Sequence, residues 1–231
     1  MPGYQTRQQQ VAIRGADSLL IRSLLDRQQY ADPAGQAEAA GFSSATWPLF
    51  GMLWPSGLQL AAHMAARPLK AGERILEVGC GLALASLVCH RRGIDITASD
   101  AHPLARGFLL DNVLLNALPP LAYRHGNWAE PVDTRQDEAA APGVEGRFDV
   151  IMGSDVLYER DDHGHLAGFV ARHAMPDAEV LIVDPDRGNR PAFTRRMDRL
   201  GFDLHQTALR TPEADGLPYR GRLLRYVRSA P

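Results

Sequence analysis

The chain has 231 residues, of which 45% are hydrophobic and 23% charged, with a formal net charge of −2. That length holds one sizeable α/β domain with an N-terminal extension and leaves a second full domain cramped, and the near-neutral charge gives no basic footprint for nucleic acid. No stretch approaches the ~20 apolar residues of a membrane span and no signal-like apolar core opens the chain, so a soluble protein of the cytoplasm is expected.

Residues before about Ala45 show no assignable pattern, which divides the chain into an N-terminal extension, 1–45, and a main domain, 46–231. Trp47-Pro48 and Phe50 read either as the rim of a binding crevice or as an aromatic latch holding the N-terminal segment. Arg74 to Gly81 is the most informative stretch: Ile75, Leu76 and Val78 read as a buried strand, and Gly79 and Gly81 follow as a turn. A helix is predicted from Leu82 to Arg91, with free N–H groups in its first turn. Ile94 to Ser99 reads as a strand ending at Asp100, and Pro103 to Asn116 as a helix opened by proline. Its Leu110, Val113, Leu114 and Ala117 fall at i, i+3, i+4 and i+7, which predicts the buried face.

Leu121 to His125 is a weak strand, and Thr134 to Gly146 an exposed loop. Phe148 to Gly153 and Val180 to Asp184 are apolar strands, with helices predicted over Asp162 to Met175 and Pro191 to Leu200. Phe202 to Leu209 and Leu223 to Arg228 flank a turn-rich stretch, Pro212 to Gly221, as an antiparallel closing pair does. Alternating strands and helices give an α/β fold with a doubly wound, mostly parallel sheet, whose ligands sit beyond the carboxyl ends of the strands. Glu77 to Gly81, Asp100, Asn127-Trp128 and Ser154 to Tyr158 all follow strand ends, so they are expected to face one crevice.

Glu77 decides the kind of ligand. A carboxylate beside a glycine turn repels a pyrophosphate and attracts a cation, which points to a sulfonium or an amine. Asp100, at the next strand tip, is placed to accept ribose hydroxyls, or else caps the helix that follows. Trp128 can stack on an adenine with Asn127 at its edge, or pack as an ordinary tryptophan. Asp155, directly after a strand end, has the plain reading of a helix N-cap, and Tyr158 that of a rim aromatic. Asp184-Pro185-Asp186-Arg187 either borders the substrate or is a turn. Cys80 and Cys89 form neither a disulfide framework nor a zinc pattern, and His163, His165 and His173 lack partners at ligand spacing, so no metal is expected.

Several stretches together carry a family resemblance: Leu53-Trp54-Pro55-Ser56-Gly57, Leu76 to Gly81, Ala98-Ser99-Asp100, Gly126-Asn127-Trp128, Gly153 to Tyr158, and Val180 to Asp184 with Pro185 and Arg187. Over about residues 45 to 200 the chain resembles the class I S-adenosylmethionine-dependent methyltransferases. More narrowly it is similar to the seven-β-strand protein lysine methyltransferases that include the methylator of the electron-transfer flavoprotein β subunit. The Asp155-x-x-Tyr158 element is the most specific part of the match. Ala83 stands where many members have a third glycine, and Asn127 where they often have Asp.

The resemblance implies a seven-stranded Rossmann-like sheet with an antiparallel C-terminal pair and S-adenosyl-L-methionine as cofactor. It implies that Glu77 faces the cationic methionine end, that Gly79 and Gly81 make room, and that Asp100 holds the ribose. Trp54 and Trp128 would supply aromatic walls, Asn127 an adenine contact and Ser154 a backbone contact. Asp155 and Tyr158 would act on the acceptor, expected to be a lysine of a protein substrate. Small-molecule N-methylation is the nearest alternative, followed by a nicotinamide-dependent oxidoreductase and a cofactor-binding module without catalysis. Neither nucleic acid nor a membrane is expected as partner, and the oligomeric state is left open.

Overall fold

The computed structural model describes residues 3–129, 141–158, 160–211 and 218–228. The chain opens on an antiparallel hairpin, β1 Thr6–Ile13 and β2 Ala16–Leu24, with a bulge between Val11 and Ile13. Gly15 turns the chain at φ 85°, a conformation that costs other residues steric strain. Val11, Ile13, Leu19, Ile21 and Leu24 from the hairpin are buried in the same core cluster as Leu60, Ile75 and Phe108 of the main domain.

After the short helix α1 Gln36–Ala39 comes a 3₁₀ turn, Trp47–Gly51, and then α2 Pro55–Ala66, with proline at its first position. The alternating units follow: β3 Arg74–Val78, α3 Leu84–Arg91, β4 Asp95–Asp100, α4 Ala105–Leu115 and β5 Ala122–His125. The second half comprises β6 Phe148–Ser154, α5 His165–His173, β7 Ala174–Asp184, α6 Arg190–Arg199, β8 Asp203–Thr211 and β9 Tyr219–Val227. The main sheet has seven strands in the order β5-β4-β3-β6-β7-β9-β8. It is parallel except that β9 runs antiparallel to both β7 and β8. This is the doubly wound sheet with an antiparallel C-terminal pair that the sequence predicts. Strand order reverses between β3 and β6, and the crevice for ligands in such sheets lies beyond the strand ends at that point.

The buried face of α4 differs from the expectation. Of the predicted face Val113 is buried, but Leu110 and Leu114 are 45% and 75% exposed and Ala117 is exposed; the helix buries Ala105, Phe108, Leu109 and Asn112 alongside Val113. Burying an asparagine has a physical reason here. Asn112 accepts the Arg22 N–H at 2.7 Å and donates to the Arg22 carbonyl at 3.3 Å; Asn116 does the same at Leu20, at 2.9 and 2.8 Å. Two side-chain amides thus satisfy the open edge of β2, where an unpaired strand would otherwise present bare donors and acceptors.

Predicted helix boundaries also move. α5 starts at His165 because the Asp161 carboxylate accepts the N–H groups of Gly164, His165 and Leu166. It stops at His173 because Met175 precedes Pro176, which favours extended backbone, and β7 begins there. Pro103 lies in the turn before α4. Of the predicted loops, residues 134–140 and 212–217 lie outside the described residues. Among the described residues no helix is long and apolar enough to cross a membrane.

Candidate active site

The turn after β3 is shaped by backbone that only small or glycine residues accept readily. Gly79, Gly81 and Ala83 have φ of 58°, 51° and 57°. A Cβ on Gly81 would lie 2.8 Å from the Phe50 carbonyl oxygen, and one on Gly79 3.0 Å from Val156. Two buried carboxylates organise the turn. Glu77 accepts the N–H of Ser86 at 2.9 Å and its hydroxyl, anchoring the end of β3 to α3. Asp100 accepts the Gly81 N–H and the His102 N–H, both at 2.8 Å, and so ties β4 to the turn. Burial pushes Glu77 up to about 7, with Asp100 adding repulsion and Ser86 opposing. Burial raises Asp100 too, against its backbone hydrogen bonds.

The aromatic residues ahead of α2 divide in role. Trp47 is fully buried between Tyr4, Tyr30, Phe50 and His102, so it is a latch for the N-terminal segment and is absent from the crevice. Phe50 stacks on His102 at 3.8 Å while also lining the crevice. Trp54 donates to the Leu49 carbonyl at 2.8 Å and carries the Arg27 guanidinium over its ring at 5.0 Å. Trp128, lining the same cavity, has a buried indole N–H with no acceptor among the described residues. The Asn127 side-chain oxygen accepts the Ala129 N–H at 3.1 Å, a local turn that sets the approach to Trp128.

At the mouth, Asp155 follows β6 in the left-handed region, φ 57°, a position that aspartate tolerates better than most residues. Its side chain is 11% exposed and is gripped bidentately by Arg187, Nε to Oδ1 at 2.7 Å and Nη2 to Oδ2 at 3.1 Å. Tyr158 stands exposed at the rim. Beside Asp155, at the tip of the adjacent β7, Asp184 is fully buried and neither carboxylate oxygen has a hydrogen-bond partner among the described residues. Burial, opposed by Arg190, pushes Asp184 up to about 6.

That shift has a definite sign. With the folded pKa above the unfolded value of 3.8, ionised Asp184 weakens the native state above pH 6, and the penalty fades as pH falls toward 4. Asp184→Asn is therefore expected to raise stability at pH 8 by about 1–3 kcal/mol and to leave it unchanged at pH 4. Urea unfolding at the two pH values checks this. An equal effect at both would mean that the carboxylate carries no burial penalty.

Trp54, Glu77, Gly79, Gly81, Asp100, Asn127, Trp128, Ser154, Asp155 and Tyr158 all line one cavity of about 990 Å³ at the carboxyl ends of β3, β4, β5 and β6. That volume is at the upper end of small-molecule sites. Ser86, whose only sequence signal is a hydroxyl early in the helix after Glu77, and Arg187 as the partner of Asp155 were not anticipated. His165 lines the mouth, yet no group of three or more potential metal ligands occurs among the described residues. The floor suits a nucleoside with a cationic arm. Glu77 is a buried acid that a cation would stabilise in its charged form, and the Asp100 oxygens keep lone pairs beyond the backbone bonds they accept.

A family profile described as a methyltransferase domain matches residues 55–217. The chain is similar to a protein N-terminal and lysine N-methyltransferase, efm7, of Emericella nidulans, 30% identical over 59% of this chain and 58% of that protein. It is also similar to a histidine protein methyltransferase 1 homolog of Dictyostelium discoideum, 22% identical over 57% of this chain and 41% of that protein. The chain therefore spans about half the length of the curated relatives it matches. Among solved structures, the fold is shared with magnesium protoporphyrin IX methyltransferase of Synechocystis with bound S-adenosylmethionine, TM-score 0.54, 15% identity, covering 75% of this chain and 78% of that one. It is shared too with a TehB-like S-adenosylmethionine-dependent methyltransferase of Corynebacterium glutamicum, TM-score 0.53, 17% identity, covering 86% and 100%.

Proposed function

The chain belongs to the methyltransferase-domain family, and we propose that it uses S-adenosylmethionine to methylate a nitrogen of another protein, with a lysine side chain as the leading acceptor. The observation that carries this reading is Asp155. It is a nearly buried carboxylate at the mouth of the cavity, already holding a cation in bidentate geometry. The relatives add support, since one is named a protein N-terminal and lysine N-methyltransferase and the other a histidine protein methyltransferase homolog.

When bound, the cofactor supplies a methyl carbon on a sulfonium, open to in-line attack by a nitrogen lone pair, with the carbon–sulfur electrons leaving on neutral sulfur. Glu77 would hold the cationic end of that ligand, Asp100 its ribose hydroxyls, and Trp54 and Trp128 its flanks. Gly79 and Gly81 let the backbone come close, and Asn127 and Ser154 line the same cavity. The acceptor is bound by Asp155, which favours its charged form and aligns it, and Tyr158 orients the amine once the proton has left to solvent.

A lysine must lose that proton first, which costs about 4.6 kcal/mol at pH 7 from a free pKa of ~10.4. Asp155 raises that cost, so its contribution is capture and alignment, where positioning has its largest effect on rate. Incubation with tritiated S-adenosylmethionine and a cell lysate lacking the enzyme is expected to label discrete proteins, with the modified nitrogens located by mass spectrometry. Label confined to small metabolites would sink the protein-acceptor reading.

A further inference from the structure

Charge is distributed unevenly along this chain. Residues 187–231 contain ten arginines against four acidic residues, in a protein whose formal net charge is −2. Many of these arginines are neutralised or spent within the fold. Arg190 and Arg222 share Asp186, Arg225 pairs with Glu179, and Arg228 donates to the carbonyls of Pro176, Ala174 and Met175.

The cavity mouth is different. Arg160, Arg187, Arg195 and Arg196 line it together with Asp155, Asp161 and Asp162. All three carboxylates are committed: Asp155 to Arg187, Asp162 to Arg160 at 2.7 Å, and Asp161 to the N–H groups that open α5. Arg196 donates to the carbonyl oxygens of Asp161 and Asp162, at 2.6 and 2.5 Å, which satisfies its donors without cancelling its charge. Arg195, exposed one position earlier on α6, has no acidic partner among the described residues; Glu159 lies outside them. Asp161 keeps its own negative charge, so among the described residues the four arginines exceed the three carboxylates by one positive charge, beside the carboxylate that takes the acceptor.

We propose that this rim docks an acidic stretch of the acceptor protein. An Asp or Glu near the methylated nitrogen meets Arg195 and Arg196, and Arg187 passes from Asp155 to such an acid as the acceptor nitrogen takes its place. The inference rests on the protein-nitrogen reading above. Its physical basis is an exchange of partners. The Asp155–Arg187 pair must open to admit a cation, and Arg187, 42% exposed, then needs a new counter-charge or bulk water. An acidic neighbour on the substrate restores a bidentate pair, whereas a neutral or basic neighbour leaves adjacent guanidiniums to repel one another. An excess of one positive charge, carried by Arg195 and Arg196 against Asp161, suits a single carboxylate, while a nucleic acid calls for a continuous basic face.

The test compares wild type with Arg195→Glu in lysate labelling by tritiated S-adenosylmethionine, with labelled sites sequenced by mass spectrometry. The expected result is Asp or Glu within a few residues of each labelled nitrogen. Arg195→Glu is expected to label those sites at least about tenfold more slowly at low salt. The deficit should shrink at high salt, where charges are screened beyond ~3 Å at 1 M. S-adenosylhomocysteine affinity by calorimetry should not change, which separates docking from misfolding. Labelled nitrogens in neutral or basic surroundings, equal labelling rates for the two proteins, or nuclease-sensitive label would each overturn the acidic rim. The first two leave the protein-acceptor reading standing, while absence of label in any protein defeats that reading and the inference with it.

Discussion

Asp155→Asn is expected to lower the rate of methyl transfer by at least about 100-fold while leaving S-adenosylmethionine affinity within about twofold of wild type. The amide is nearly isosteric and, like aspartate, tolerates the left-handed backbone at φ 57°, so the turn after β6 should keep its shape. What is lost is the charge that grips a cation, now seen holding Arg187. Misplacing a nucleophile by about 1 Å can cost ~10²-fold, which sets the size of the effect. Single-turnover rates and equilibrium binding, measured on the same preparation, separate the two quantities. An equal fall in cofactor affinity would move Asp155 from the acceptor side of the cavity to the cofactor side.

Cofactor binding is expected to release close to one proton at pH 6 and almost none at pH 8, with Glu77 as its source. Burial pushes this acid up to about 7, so it is about nine-tenths protonated at pH 6 in the free protein. A cationic ligand favours the carboxylate, and binding must then expel the proton. Affinity should accordingly strengthen as pH rises through 7, by about tenfold between pH 6 and 8. Glu77→Gln should abolish the proton release and weaken binding at pH 8 by ~2 kcal/mol, roughly thirtyfold, the scale of a hydrogen bond to a charged group. Calorimetry in two buffers of different ionisation heat measures the released proton directly. Proton release persisting in Glu77→Gln would assign it to Asp100, whose pKa burial also raises.

The strand ends were legible because their signals are local. An apolar run followed by glycines at positive φ can be read within eight residues, and so can an acid at the tip of the next strand. The N-terminal hairpin was not legible, because the edge of β2 is satisfied by Asn112 and Asn116, about ninety residues away. The same pairing explains the misjudged face of α4. Leucine periodicity marked Leu110 and Leu114 beside the buried Val113, whereas the helix turns Asn112 inward, where its amide serves the open strand edge.

The sequence by itself determined the doubly wound order, the glycine turn with its carboxylate, and the set of strand-end residues that share one crevice. Each depends on short-range patterns of polarity and backbone freedom. Only the tertiary structure decided that Trp47 is a buried latch, that Ser86 shares Glu77, and that Asp155 is held by Arg187, which lies 32 positions later. β6 and β7 run parallel and in register, so the residues after their ends come to lie side by side however far apart they stand in the chain. A pairing made by topology leaves no local trace, and for that reason the charge balance at the cavity mouth could be read only from the folded chain.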